Sequence, residues 1–315
     1  MRKDFPKVSV VVVTYNQVNL IQQCLECILM QKTSFSYEII LGDDGSDDGT
    51  REICESYAER FPDKIKLYLR DRADVIYING HPTGRFNFTE SLKAAKGKYI
   101  ALCEGDDYWT DSLKLQKQVD FLEENEDFGI CFHQSEVEWI GEYRNHKVKL
   151  FSDFLWNNMN IDNSIYTISD VFKGPFMATA SVVFRRENMP IFPKWFYKVA
   201  SADITLFALV IKGKKIKFLD EVMSVYRKHE GGVTQFHKGN FILLNRIEML
   251  YHLNKYYRGK YHNDIALQVQ NYIKDLSLLS KKEMGQLFKL YLKSKLIRKR
   301  ELKNIIKKKI KKAIE

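Results

Sequence analysis

No stretch of this chain approaches eighteen consecutive apolar residues, so no membrane-crossing helix is expected. Met1-Arg2-Lys3-Asp4 leads directly into a strand-like run, so no signal peptide is expected either. Cysteine is scarce, at five in 315 residues, and the count is odd. Cys24 and Cys27, with two residues between them, fall inside a helical pattern with no histidine and no second pair nearby. That spacing argues against a disulfide framework or a structural zinc site and makes reduced thiols in the cytoplasm the expectation. Internal repeats and low-complexity linkers are absent. No GxGxxG opens the first helix and no GxxxxGK[ST] occurs, which leaves dinucleotide-binding and P-loop readings without support.

What is present is enough for a sizeable core. Hydrophobic residues make up 45% and aromatics 13% of the chain, which excludes general disorder. The formal charge of +10 is unevenly placed. Residues 281–315 hold 14 Lys+Arg against 3 Asp+Glu, a net of +11, which leaves 36 basic and 37 acidic residues in 1–280. The basic balance therefore belongs to the C-terminal stretch. A nucleic-acid enzyme spreads basic residues around its groove, so nucleic acid is not the expected partner.

The run Val8–Val13 is continuously β-branched, as in a strand buried on both faces of a parallel sheet. Further strands are expected at 37–41, 65–69, 98–103 and 128–133, alternating with helices at 17–30, 50–60, 87–96 and 111–124, the last opened by a Thr110/Asp111 cap. From 134 to 176 periodicity is weak, which predicts irregular structure and short strands. A strand at 178–184, a helix at 202–212 and two short strands at 215–219 and 222–227 follow. Beyond 238 the pattern is helical, over 238–257, 261–279 and a basic amphipathic stretch at 284–314. The alternation predicts an α/β fold with a mainly parallel or mixed central sheet followed by C-terminal helices. The expected division is a catalytic domain over 1–235, a helical extension over 236–280 and a basic helix over 281–315.

Two acidic clusters directly follow apolar strands: Asp43/Asp44 and Asp106/Asp107. Ligands bind at the carboxyl ends of strands in an open parallel sheet. Adjacent carboxylates repel, and a hard divalent cation such as Mn2+ or Mg2+ resolves that repulsion. Strand termination by Asp and Gly is the plain alternative for either cluster alone.

VSVVVVTYN (Val8–Asn16), GDDGSD (Gly42–Asp47), GKYIALCEGDDYW (Gly97–Trp109) and VMSVYRKHEGG (Val222–Gly232), in this order, resemble a family-two glycosyltransferase of the GT-A fold over residues 6–235. The resemblance implies a nucleotide-sugar-binding enzyme of the kind that builds bacterial surface polysaccharides. It places Thr14 in the nucleotide site and gives Asp44 the pyrimidine N3–H. Asp106 falls towards the ribose or a metal-bound water and Asp107 on the metal, in an EGDD form rather than a literal DxD. Asp203 matches the catalytic base, although Ala202 stands where an acidic neighbour is frequent. The implied reaction is a metal-dependent, inverting transfer from a nucleoside diphosphate, UDP first, to a hydroxyl of a glycan or lipid-linked glycan. A sugar-phosphate nucleotidyltransferase and a non-enzymatic membrane or nucleic-acid adaptor are the rivals.

Other residues keep two readings. His229 completes a metal site, touches diphosphate or is a surface histidine. Arg227 pairs with phosphate or with an acidic neighbour. Arg85 is available to diphosphate or a carboxylate, Asn87 to the nucleotide side or to a helix cap, and Trp109 to sugar stacking or to packing. In the C-terminal stretch, Phe288, Leu292, Leu296, Leu302, Ile306, Ile310 and Ala313 are expected on one apolar face. That face suits an anionic membrane surface at the inner side of the cell membrane, the domain itself or a partner helix.

Overall fold

The computed structural model describes residues 5–78, 80–141, 149–155, 164–232, 239–277, 279–294 and 296–297, with a few positions beyond. Nine strands form one mixed sheet: β1 (Val8–Thr14), β2 (Tyr37–Asp43), β3 (Ile65–Leu69), β6 (Tyr99–Glu104), β7 (Tyr108–Trp109), β8 (Phe128–Trp139), β9 (Ile165–Tyr166), β10 (Val183–Arg185) and β11 (Lys215–Lys228). A separate hairpin joins β4 (Ile76–Ile78) to β5 (His81–Thr83). The helices are α1 (Ile21–Leu29), α2 (Thr50–Arg60), α3 (Arg85–Ala94), α4 (Lys114–Glu124), α5 (Phe151–Leu155), α6 (Ile168–Lys173), α7 (Ala202–Val210), α8 (Asn240–Tyr256), α9 (His262–Asp275) and α10 (Lys281–Lys293).

The sheet runs β3-β2-β1-β6-β10-β8-β11-β7, with β9 also on β11. Strands β3, β2, β1 and β6 are parallel to one another. Strand β10 is antiparallel to both neighbours, and β8 and β11 are parallel. β1 sits between β2 and β6, and Val8, Val10, Val11 and Val12 are all buried. At roughly 1.5–3 kcal/mol for each such side chain, their burial is a large local contribution. The parallel order brings the carboxyl ends of β2, β1 and β6 to one edge, where both acidic clusters begin.

The chain divides into two compact units. One contains the sheet and comprises residues 1–168, 175–192 and 209–230; the other comprises 169–174, 193–208 and 231 onward and is helical. All five cysteines are buried free thiols.

Several expected boundaries move. The strand expected at 128–133 continues to Trp139, because it pairs in parallel with β11 along its length and the Ser135 and Ser224 hydroxyls bond at 2.7 Å. The two strands expected at 215–219 and 222–227 are one, β11, with register shifts between Leu219 and Val222 and between Val222 and Ser224. Of the 178–184 run only Val183 and Phe184 are strand, in β10; Thr179–Ser181 is a 3-10 turn. Helix α4 starts at Lys114, and Asp111 instead closes the preceding turn by accepting from the Leu113 amide at 2.7 Å. α10 opens on a capping box at Ser280 and Glu283 and ends at Lys293, so the helical stretch expected over 284–314 is interrupted there; Arg300, Lys303, Asn304 and Lys307 are helical again, and the other residues of 298–314 lie outside the described residues.

Candidate functional site

At the end of β2, four carboxylates lie within six residues, and their partners distinguish them. Asp43 is fully buried and takes Arg51 Nε at 2.8 Å together with the amides of Gly45 and Ser46. Asp47 exchanges hydrogen bonds with the Asn16 side chain, which sits in the left-handed region at φ 51°. Asp48 accepts from the Val18 amide and from Thr50. These bonds lock the turn after β1 to the loop after β2. Asp44 is different: Arg72 Nη1 reaches Oδ2 at 2.9 Å, while the buried Oδ1 has no hydrogen-bond partner among the described residues. Burial lifts the Asp44 carboxyl to about 6, with Arg72 pulling the other way.

Thr14 ends β1 beside this loop. Its carbonyl accepts from the Asp44 amide at 3.0 Å, and its hydroxyl donates to Gln17 Oε1 at 2.7 Å. Asn87 lies inside α3, not at its cap, and donates to the Gly42 carbonyl at 2.7 Å. A Cβ at Gly42 would stand 2.1 Å from Asn87 Oδ1, so this seam between α3 and β2 needs glycine. Arg85, the first residue of α3, is buried.

At the end of β6, Glu104, Asp106 and Asp107 each offer a carboxylate oxygen within 4.8 Å of the others', the one such group among the described residues. Gly105 lets the turn close against β1: its amide donates to the Val13 carbonyl, and a Cβ there would come within 2.9 Å of Thr14. Asp107 is fully buried. Its Oδ1 accepts from the Arg227 amide at 2.9 Å, and its Oδ2 has no partner among the described residues. Burial, with Asp106 and Glu104 adding their charges, holds the Asp107 carboxyl well above the usual carboxylate range. His229 Nε2 lies 3.1 Å from Asp106 Oδ2.

Arg227 binds this turn to its surroundings. The guanidinium donates to the Asp106 carbonyl at 3.2 Å, to Glu138 Oε2 at 3.2 Å and to Gln23, and lies 4.3 Å from the Tyr108 ring centre. It thus ties α1, β8 and the Glu104–Asp107 turn to β11. Its pairing is with an acidic neighbour, one of the two sequence readings. Trp109 has only 1% of its surface exposed; Nε1 donates to the Ala180 carbonyl at 2.8 Å, and the buried Lys114 ammonium lies 4.1 Å from the ring centre. A ring so enclosed offers no face to a sugar, so the structure places Trp109 in the packing beneath the turn.

Thr14, Asp44, Arg85, Asn87, Asp106, Asp107, Trp109, Arg227 and His229 all belong to the sheet-containing unit. Asp203 belongs to the helical unit, in the first turn of α7, half-buried. Sequence reasoning passed over Glu104, although it stands in the EGDD stretch, and Arg72, whose only signal is a position 28 residues beyond Asp44.

The orphaned Asp107 Oδ2 and the all-oxygen set around it fit a hard divalent cation such as Mn2+ or Mg2+. An unpartnered buried acceptor costs roughly 1–3 kcal/mol, more when charged, and a cation removes that cost.

The profile described as "Glycosyl transferase family 2" matches residues 9–189. An uncharacterized protein of Mycobacterium tuberculosis is 34% identical over 226 residues, 71% of this chain and 60% of that protein. The chain thus spans about three-fifths of the length of the first curated relatives it matches. A putative teichuronic acid biosynthesis glycosyltransferase of Bacillus subtilis, TuaG, is 31% identical over 119 residues, 38% of this chain and 43% of that one. Among solved structures, S. aureus TarS 1–349 in complex with UDP-GlcNAc is similar at a TM-score of 0.53, with 18% identity over 90% of this chain and 71% of that one. The mannosyltransferase PcManGT from Pyrobaculum calidifontis, in complex with GDP-Man and Mn2+, gives 0.54, with 16% identity over 98% of this chain and 88% of that one. At such identities these two structures establish the GT-A-like α/β fold alone.

Proposed function

The chain belongs to glycosyltransferase family 2, and on that premise we propose that it is a metal-dependent, inverting glycosyltransferase moving a sugar from a nucleoside diphosphate to a hydroxyl of a glycan or lipid-linked glycan. One observation carries the reading: two buried carboxylate oxygens in the acidic clusters without partners among the described residues, Asp44 Oδ1 and Asp107 Oδ2, follow the strands that flank β1 on either side. Asp44 offers an acceptor to the imide N–H of a pyrimidine, which makes UDP the first donor to test. Thr14, Asn87 and Arg85 line the nucleotide side, with Asp106 towards the ribose. Asp107 would hold Mn2+ or Mg2+, with His229 and Glu104 as further donors. The cation, when bound, offsets the charge growing on the departing diphosphate.

Asp203 takes the proton from the acceptor hydroxyl as its oxygen bonds to the anomeric carbon and the bond to the diphosphate breaks, which inverts that carbon. Residues 1–235 would act as the catalytic domain, with 236–280 a helical extension. The TuaG relative supports a cell-surface polysaccharide as acceptor class, and the protein would work at the cytoplasmic face of the membrane. No helix among the described residues is long and apolar enough to cross it. A panel of nucleotide sugars, with and without Mn2+, tests the reading by product. Release of the nucleoside diphosphate with a lengthened acceptor is expected, and release of pyrophosphate contradicts it. Asp203→Asn should keep donor binding while lowering transfer about 100-fold or more; unchanged transfer removes Asp203 as the base.

A further inference from the structure

Helix α10 does not turn its apolar residues to one side. Leu287 and Leu290 are buried, as are Leu296 and Ile297 past the helix end, whereas Phe288 is 47% and Leu292 67% exposed. The apolar face expected from sequence is therefore divided between an inner row and an outer pair. Phe288 and Leu292 are four residues apart and share one stripe of the helix. Lys282, Lys289 and Lys293 follow one another along the flank of that stripe, all exposed. Among the described residues no carboxylate pairs with these lysines, while Glu283 is engaged with Ser280 in the capping box.

We propose that this face of α10 is a docking surface for an anionic lipid bilayer, with Phe288 and Leu292 entering the headgroup–acyl boundary and Lys282, Lys289 and Lys293 meeting lipid phosphates. The combination of groups selects the occupant. A nucleic acid takes the lysines and offers nothing to two apolar side chains. A protein groove takes the apolar pair, but a stable interface spans about 1,000 Å2 or more, well beyond a stripe with two anchors. The boundary of an anionic bilayer accommodates both at once, and lysine stems reach from one layer to the other.

This deepens the reading of a membrane-borne acceptor and rests on it. Vesicle binding is measured with neither donor nor acceptor present, so its failure leaves glycosyl transfer standing, and failed transfer leaves it untouched.

The test is co-sedimentation of the full chain with vesicles of phosphatidylcholine alone and of phosphatidylcholine mixed with phosphatidylglycerol. Wild type should bind the mixed vesicles and not the neutral ones. Lys282→Gln/Lys289→Gln/Lys293→Gln should weaken that binding about a hundredfold, and Phe288→Ser/Leu292→Ser about tenfold or more. Both variants change exposed side chains only, and an unchanged Tm checks that they fold. Equal binding to both vesicle types, absence of binding, or binding that either variant keeps in full overturns the proposal; full retention by both would assign membrane contact to the basic residues after 294.

Discussion

The two acidic clusters stand at equivalent ends of strands on either side of β1, yet they are electrostatically opposite. Around Asp43 and Asp44 each carboxylate meets an arginine, Arg51 and Arg72, and the remaining acids bond to backbone and to Asn16. Around Glu104, Asp106 and Asp107 three carboxylates converge, while the nearby guanidinium of Arg227 donates to a carbonyl and to Glu138. The first cluster is paired by the protein and keeps one buried acceptor, Asp44 Oδ1, without a partner among the described residues. The second gathers three carboxylates, one with a buried oxygen that has no partner among the described residues, a set that fits a hard divalent cation. Similar sequences, DDGSDD and EGDD, thus sit in different surroundings, because of which cations the fold brings to each, and the proposed roles of base and metal binding follow that difference.

The largest effect should come from removing one of these converging carboxylates. Asp107→Asn keeps an oxygen for the Arg227 amide but forfeits the anionic ligand, so Mn2+-dependent transfer should fall about 10²–10³-fold or more. Because the folded carboxyl titrates above its ordinary range, its favourable contribution is full at low pH and lost as pH rises through the folded value. The same variant, scanned in EDTA at neutral pH, should therefore melt at or above the wild-type temperature; a lower Tm would contradict the unpartnered Oδ2.

Arg227→Lys is next. It retains charge but not the fork that spans the Asp106 carbonyl, Glu138 and Gln23, and Mn2+ affinity should drop about 10–100-fold. Mn2+ titration followed by electron paramagnetic resonance reads this without any substrate, and wild-type affinity would show that Arg227 does not position the turn.

Asp44 gives a pH signature that the second cluster should not share. With its carboxyl at about 6, UDP binding in metal-free buffer should weaken as pH falls through that value, since the proton cancels the charged acceptor. In calorimetry from pH 5 to 8, Asp44→Asn should bind UDP about 10-fold more weakly at pH 8 and lose the pH dependence. A wild-type profile in this variant would move base recognition elsewhere. The smallest functional effect belongs to Trp109→Phe, which loses the bond to Ala180 and some packing. Stability should fall by about 1–2 kcal/mol in urea unfolding with kcat/KM within about twofold; a large loss in kcat/KM with stability intact would return Trp109 to the sugar.

The parallel half of the sheet was legible because strands buried on both faces read as unbroken apolar runs, Val8–Val13 most plainly. β7 and the β4–β5 hairpin were not, since two- and three-residue strands carry no period and exist only through their partners. The polar Gln134-Ser135-Glu136 hid the extension of β8, whose pairing with β11 is tertiary. At the site, residue types and their strand-end positions were readable, but their ranking was not. Four acids in six residues look alike until Arg51, Arg72 and Asn16 choose among them. Arg227 acts on Asp107 from 120 residues away. Trp109 follows the Glu104–Asp107 turn in sequence but sits beneath it in the core.

The measurement that bears most directly on the paired clusters is calorimetric UDP binding with and without Mn2+ in wild type, Asp107→Asn and Asp44→Asn. Mn2+ should tighten wild-type binding about tenfold or more, fail to do so in Asp107→Asn, and still do so in Asp44→Asn from a weaker baseline. Wild-type affinity indifferent to Mn2+, or a metal effect that survives Asp107→Asn, would contradict the account.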